Sequence, residues 1–170
     1  MPNWVKNNVN VYGTKKQLEK FVEKHFNKEG EFDFDTIIKM PKSVFRGNLG
    51  KEEKEKYGDN NWYDWSIKNW GTKWNACDTQ EPIIEAAHSK EAVLSFSFNT
   101  AWACPEQIYR KLAEMYKKNP MVVKYADEDI GNNCGTIDIV DGEITIDYEE
   151  TEDFALDVWG YNNKEEYLGA

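Results

Sequence analysis

Three cysteines and two histidines are the side chains of this sequence most often used as nucleophiles, bases or soft metal ligands. They are Cys77, Cys104, Cys134, His25 and His88. No two of them stand at the short spacings typical of zinc sites or of redox-active Cys-x-x-Cys pairs. The sequence therefore predicts reduced thiols that serve packing, and it predicts neither a metal site nor a cofactor.

Known catalytic motifs are absent from the sequence. It contains no Gly-x-Ser-x-Gly, no phosphate-binding glycine loop and no His-Glu-x-x-His. The run Asp127-Glu128-Asp129 resembles the start of a calcium-binding loop, but the spaced oxygen ligands and the late glutamate are missing. These absences favour a binding protein over an enzyme. An enzyme or binder of a small metabolite or nucleotide remains an alternative.

Acidic residues are concentrated near the C-terminal end. From Asp127 onward there are fourteen Asp and Glu residues and one lysine, within a chain whose net charge is −10. Such a segment repels phosphates and attracts basic protein surfaces, although it could also be only a solvated face that aids solubility. We predict a partner-binding surface formed by seven of these carboxylates: Asp138, Glu143, Asp147, Glu149, Glu150, Glu152 and Asp153.

A tryptophan-rich segment offers an alternative site. It contains four of the seven tryptophans: Trp62, Trp65, Trp70 and Trp74. Exposed aromatic rings are enriched at protein interfaces and stack on nucleic-acid bases, which suggests an RNA-binding or single-strand-binding module. However, large aromatic side chains usually pack inward, so these tryptophans could instead cover the core. The acidic balance of the chain also argues against nucleic acid as a partner.

The elements that position these residues follow from hydrophobic periodicity. Alternation of apolar and polar residues predicts strands at 3–12, 92–98, 121–125, 136–140 and 144–148, and a further strand is expected to begin at 74–77. Asp141-Gly142 is a strong signal for a two-residue hairpin turn between the last two strands. The expected core residues are Val9, Val11, Leu18, Phe21, Leu94, Phe96, Phe98, Ile108, Leu112 and Met115.

Helices are predicted between these strands from capping residues and helical spacing. The first starts after Thr14, the second covers 61–70 before Gly71, and the third starts at Pro105. One or two short helices are expected over 154–159 and 165–168.

The order of the predicted elements indicates an α+β fold. We expect a ferredoxin-like βαββαβ sandwich, with two long helices on one face of an antiparallel sheet, followed by a C-terminal hairpin and short helices. One domain is expected over residues 1–170, with an acidic extension from about residue 127. The start of the chain shows no charged leader before an apolar run, and no apolar stretch has membrane-spanning length. We therefore expect a cytoplasmic protein without membrane contact.

Several stretches, spread over most of the chain, carry a resemblance to a known family. They are Met1-Pro2-Asn3-Trp4, Trp62-Tyr63-Asp64-Trp65, Asn69-Trp70-Gly71-Thr72-Lys73-Trp74, Phe98-Asn99-Thr100-Ala101-Trp102, and Tyr125-Ala126-Asp127-Glu128 leading to Asn133-Cys134-Gly135. These stretches resemble the YubB ferredoxin-like domain family, whose members occur in phages and conjugative plasmids. The resemblance implies a ferredoxin-like fold and a mobile-element origin, but it implies no activity and no catalytic residues.

Together these observations predict a non-enzymatic accessory binding protein of a phage or plasmid. Its expected partner is a host protein with a basic surface, such as a nucleic-acid-binding or defence protein.

Overall fold

The structure, a computed structural model, describes all residues from Met1 to Ala170 and contains one antiparallel sheet. Its six strands are β1 (Trp4–Gly13), β2 (Ile83–His88), β3 (Glu91–Ala101), β4 (Met121–Asp127), β5 (Cys134–Val140) and β6 (Glu143–Tyr148). Their order across the sheet is β2-β3-β1-β4-β5-β6, so β1 is internal and β2 and β6 are the edges. Every neighbouring pair of strands is antiparallel, as expected for the ferredoxin-like sandwich, and β5 and β6 extend the sheet beyond β4.

Six α-helices and one short 3-10 helix, Phe34–Thr36, accompany the sheet. The α-helices are α1 (Lys15–His25), α2 (Lys51–Tyr57), α3 (Trp62–Trp70), α4 (Glu106–Met115), α5 (Glu152–Trp159) and α6 (Lys164–Leu168). Their ends follow the predicted capping residues: the Thr14 hydroxyl accepts from the Gln17 N–H, and the Gln17 side chain accepts in return from the Thr14 N–H. Gly71 ends α3 in the left-handed conformation, with φ of 79°. No helix combines the length and the apolar character needed to cross a membrane.

One face of β1 is buried in the core, and a single asparagine interrupts its apolar character. The valines of this face are Val5, Val9 and Val11. Asn7 lies among them and is itself fully buried. Its side-chain amide donates to the Val5 carbonyl and to the Thr100 hydroxyl, and its carbonyl oxygen accepts from the Tyr109 hydroxyl at 2.9 Å. These bonds satisfy the buried amide and connect β1 to β3 and α4.

Nine of the ten predicted core residues belong to one hydrophobic cluster of 25 residues. These nine are buried, whereas Met115 is partly buried and packs against the cluster. Phe21 of α1 contacts Phe96 of β3 with a distance of 6.2 Å between ring centroids. From α4, Ile108 and Leu112 enter the same cluster.

The strand expected to begin at 74–77 is wrong. Cys77 forms only an isolated bridge with Asn99, and the strand that pairs with β3 is β2, further along the chain. This edge strand has no clear alternation because nearly all of its side chains are exposed. A strand without a buried face lacks the period-two signal that the other strands show.

The second face of β1 is partly covered by the C-terminal part of the chain. Asn8 donates from its side-chain amide to the Val158 carbonyl of α5 at 2.9 Å. The Lys6 ammonium lies 5.7 Å from the centroid of the Trp159 ring. Under α5, a small second cluster consists of Ala126, Cys134, Ala155 and Val158. The acidic segment therefore extends the sheet with β5 and β6 and then packs back across it.

Candidate functional site

The turn between β5 and β6 fixes which acidic side chains lie together. Asp141 and Gly142 both have positive φ, 52° and 81°, as the favoured two-residue hairpin turn requires. The pairing Val140–Glu143 next to the turn then sets the register, and Asp138 lies opposite Thr145. Because side chains alternate along each strand, Asp138, Glu143 and Asp147 project from the same face of the hairpin. We call these three residues the acidic face.

The carboxylates of the acidic face have no direct ionic partner. All three of its residues are exposed, and none forms a salt bridge. Lys124 of the neighbouring strand β4 is diagonal to Asp138 on the sheet, but its ammonium lies 3.7 Å from the Asp157 carboxylate of α5. Asp138 lies opposite Thr145 and diagonal to both Glu143 and Asp147, so the three charges repel one another modestly and the repulsion is screened by salt.

The remaining predicted carboxylates have other positions. Glu149 and Glu150 follow β6 and are exposed, and the Glu149 N–H donates to the Cys134 carbonyl at 3.1 Å. Glu152 and Asp153 lie in the first turn of α5, where a negative charge is favoured by the helix dipole. Glu152 also contacts Lys164 of α6, with 2.6 Å between Oε1 and Nζ. The structure thus brings together three of the seven, places two beside them, and gives two a position at a helix start.

The four tryptophans of the alternative site do not share one surface. Trp70 is 4% exposed, and its indole N–H donates to the Ile38 carbonyl at 2.8 Å. Trp65 packs edge-on against Trp70, and Trp62 donates to the Gly47 carbonyl; both rings pack against the core. Of the four tryptophans, only Trp74 is exposed, at 38%.

Trp74 belongs to a different aromatic group that no sequence motif indicates. The Lys73 ammonium lies 4.4 Å from the Trp74 ring centroid and 4.8 Å from that of Trp102. The Trp4 and Trp74 centroids are 5.9 Å apart. We call these four residues the tryptophan–lysine cluster. Its members come from the start of β1, the segment after α3 and the end of β3, so only tertiary structure assembles it.

Trp102 in this cluster has a strained backbone. Its φ is 73°, in the left-handed region that bulky residues rarely occupy. The ring is nevertheless 41% exposed, so burial of the side chain does not fully account for the conformation. Two hydrogen bonds to distant segments of the same chain hold Trp102 in place. Its N–H donates to the Asn3 carbonyl, and its carbonyl accepts from the Asn133 side-chain amide.

The Asp127–Asp129 run forms a polar loop held by its own hydrogen bonds. The Asp127 carboxylate accepts from the side-chain amides of Asn3 and Asn133 and from the Asp129 N–H. These donors occupy the oxygens that a cation would need. The structure contains no group of three or more His, Cys, Asp or Glu side chains arranged to hold a metal ion.

The thiols are poorly suited to nucleophilic chemistry. Burial raises the pKa of Cys77 to about 11, and burial raises the pKa values of Cys104 and Cys134 as well. At neutral pH these side chains are therefore thiols, whereas the reactive species is the thiolate.

The buried His25 side chain has a structural role. The Thr36 hydroxyl donates to the Asp33 carbonyl at 2.6 Å, so it accepts from His25 Nδ1, which lies 2.7 Å away. His25 Nε2 then accepts from the Tyr116 hydroxyl at 2.6 Å. Both ring nitrogens of the neutral imidazole are occupied, and neither is available as a general base.

Comparisons with known proteins bear on the fold and not on the site. Searches of curated proteins and of solved structures found no match. A family model described as a ferredoxin-like domain in Api92-like protein matches residues 69–167, which is more than half of the chain. The match includes β2 to β6 and the whole acidic hairpin. It agrees with the ferredoxin-like fold implied by the sequence resemblance, although its description names Api92-like protein and not YubB. The chain belongs to the family of ferredoxin-like domains of Api92-like proteins.

Proposed function

We propose that this protein is a non-enzymatic binding protein whose acidic face engages a protein partner with a basic surface. The observation that carries the proposal is the exposure of Asp138, Glu143 and Asp147 on one side of the β5–β6 hairpin, without a salt bridge. A basic partner would relieve the repulsion among these charges and would be steered toward them over a distance.

The chemistry of the interior supports binding over catalysis. Every buried side-chain nitrogen or oxygen has a hydrogen-bond partner within the protein. The raised pKa values of the thiols oppose nucleophilic catalysis by cysteine.

The finer parts of the proposal rest on the sequence resemblance. Similarity to YubB proteins supports a phage or plasmid origin, and with it a host protein as the partner in the host cytoplasm. The two long helices, α1 and α4, are proposed to lie on one face of the sheet. This is supported by the contact of Phe21 with Phe96 and by the bond from Tyr109 to Asn7 on the buried face of β1.

A second candidate function is favoured by the tryptophan–lysine cluster. Exposed Trp74 and Trp102 rings beside the Lys73 ammonium offer stacking surfaces and a positive charge, which is a combination that binds single-stranded nucleic acid. One lysine gives little phosphate affinity, and the adjacent acidic segment opposes it, so this function ranks second.

The test compares two variants of equal charge. Asp138→Asn/Glu143→Gln/Asp147→Asn removes the acidic face, whereas Glu23→Gln/Glu29→Gln/Glu55→Gln removes three exposed carboxylates from other parts of the surface. Each protein is used to capture partners from host lysate at low salt. We expect the wild type and the control to retain one partner with a basic surface and the acidic-face variant to lose it. Retention by the acidic-face variant, or equal loss by both variants, would contradict the proposal.

Oligonucleotides test the second candidate. If random single-stranded oligonucleotides bind the wild type, and Trp74→Ala and Trp102→Ala abolish the binding, the tryptophan–lysine cluster becomes the functional site.

A further inference from the structure

The acidic hairpin ends the sheet with an open strand edge. β6 pairs with β5 and has no strand on its other side. In a two-residue hairpin, the residues flanking the turn, here Val140 and Glu143, form a hydrogen-bonded pair. Hydrogen-bonded pairs then recur at every second residue. The bond from the Glu149 N–H to the Cys134 carbonyl belongs to the same series.

This alternation leaves three residues of β6 with backbone groups that point away from β5: Ile144, Ile146 and Tyr148. Their N–H and C=O groups line the open edge, ready to pair with another extended chain.

The two sides of β6 are chemically different. Glu143 and Asp147 project from the acidic face. On the opposite side, Ile144 and Ile146 are only half-buried, and Tyr148 is 71% exposed. A cavity of about 180 Å³ continues this apolar side toward the start of α4, where Cys104, Ile146 and Tyr148 are among its lining residues.

We propose that β6 is the docking edge for an extended segment of the partner in which Lys or Arg alternates with apolar residues, added antiparallel to β6. Directly opposite side chains on neighbouring strands interact, so the basic residues would face Glu143 and Asp147. The apolar residues would face Ile144 and Ile146. This inference rests on the proposed function and specifies the chemistry of its partner.

Charge selects this occupant over a second copy of the chain. Pairing of two β6 edges would add Glu143 and Asp147 of a second molecule to an acidic face that is already unneutralised. A basic segment instead supplies the missing opposite charge. The other sheet edge, β2, carries no comparable acidic row, because Glu85 is its single acidic residue.

The backbone geometry allows a sharp test with an end-capped Lys-Val-Lys-Val-Lys-Val-Lys peptide. In the antiparallel arrangement, the valines face Ile144 and Ile146 and direct their own N–H groups to β6. The lysine N–H groups point to solvent. N-methylation of the valines should therefore weaken binding at least about tenfold, while N-methylation of the lysines should leave it unchanged.

Binding is measured by calorimetry at low salt, and the contact is located by changes in the backbone amide NMR signals. We expect the largest changes at Ile144, Ile146 and Tyr148. Absence of binding by the parent peptide, or equal weakening by both methylation patterns, would overturn strand docking. If all peptides bind equally and only Asp138→Asn/Glu143→Gln/Asp147→Asn weakens them, the acidic face still attracts basic partners. In that case the proposed function stands and the docking inference falls.

Discussion

His25 links the stability of the fold to pH at the scale of a single residue. Burial, followed by the nearby Lys24, lowers the pKa of His25 to about 4 from its ordinary value of 6.5. The unfolded chain therefore takes up a proton that the folded state does not. The stability that the neutral, buried His25 contributes is therefore fully present above about pH 6.5, and it is lost as the pH falls toward about 4.

The prediction is measured as the free energy of unfolding in urea for the wild type and for His25→Gln. At about pH 7.5 the wild type should be clearly more stable than the variant, and at about pH 5 the difference should be smaller. The comparison cancels the titration of the many carboxylates, which both proteins share. A difference that stays constant between the two pH values would contradict the assigned role of His25.

Trp102 allows backbone strain to be separated from side-chain contacts. Its φ of 73° is accessible to glycine without strain but costs other residues about 1–2 kcal/mol. Trp102→Gly and Trp102→Ala remove the same ring, so they differ mainly in the backbone. We predict that the glycine variant is about 1 kcal/mol more stable than the alanine variant in denaturant unfolding. An alanine variant of equal or greater stability would show that the site relaxes to an ordinary conformation.

At the scale of the elements, the faces of β3 can be tested directly. Leu94 is fully buried against the core, so Leu94→Ala should lower the free energy of unfolding by about 2–5 kcal/mol. Ser97 projects from the opposite face, and Ser97→Ala should change it by less than about 0.5 kcal/mol. Similar small effects for both variants in a denaturant melt would mean that the faces of the strand are reversed.

The acidic hairpin should tolerate loss of its charges. In Asp138→Asn/Glu143→Gln/Asp147→Asn the side chains keep their size and exposure while their mutual repulsion is removed. We predict an unfolding free energy equal to or up to about 1 kcal/mol above that of the wild type, with the gain disappearing at high salt. A destabilised variant would show that the carboxylates stabilise the hairpin, and partner loss could then reflect local unfolding.

Elements whose signals are local could be predicted from the sequence, and elements that depend on distant contacts could not. The β5–β6 hairpin follows from Asp141-Gly142 between alternating isoleucines, and α1 follows from its Thr14 cap. β2 has no such local signal, because an exposed edge strand needs no buried side chains and shows no alternation.

The candidate site divides in the same way. Strand alternation places Asp138 and Asp147 on one face, and this placement follows from the sequence pattern alone. The tryptophan–lysine cluster has no such local signal, because Trp4, Trp74 and Trp102 are brought together only when β1 and β3 pair.

At the scale of the whole molecule, the family match does not outline an independent folding unit. The matched residues 69–167 omit β1, yet β1 lies between β3 and β4. Without it the sheet separates into a β2–β3 pair and a β4–β5–β6 group, each with an unpaired edge and an uncovered core. We predict that a polypeptide of residues 69–167 lacks cooperative unfolding and dispersed amide NMR signals, whereas the full chain has both. A cooperatively folded fragment would show that β3 and β4 can pair without β1.

The internal position of β1 also determines when the protein can fold during its synthesis. β1 leaves the ribosome well before its partner strands: Trp4 pairs with Ala101, and Val5 pairs with Asp127. Closing such long loops is slow, and the valines of β1 stay uncovered until translation has passed β4. The growing chain therefore passes through a long window in which aggregation or chaperone binding competes with folding. The β5–β6 hairpin, whose strands are joined by two residues, faces no such delay and can form as soon as it emerges.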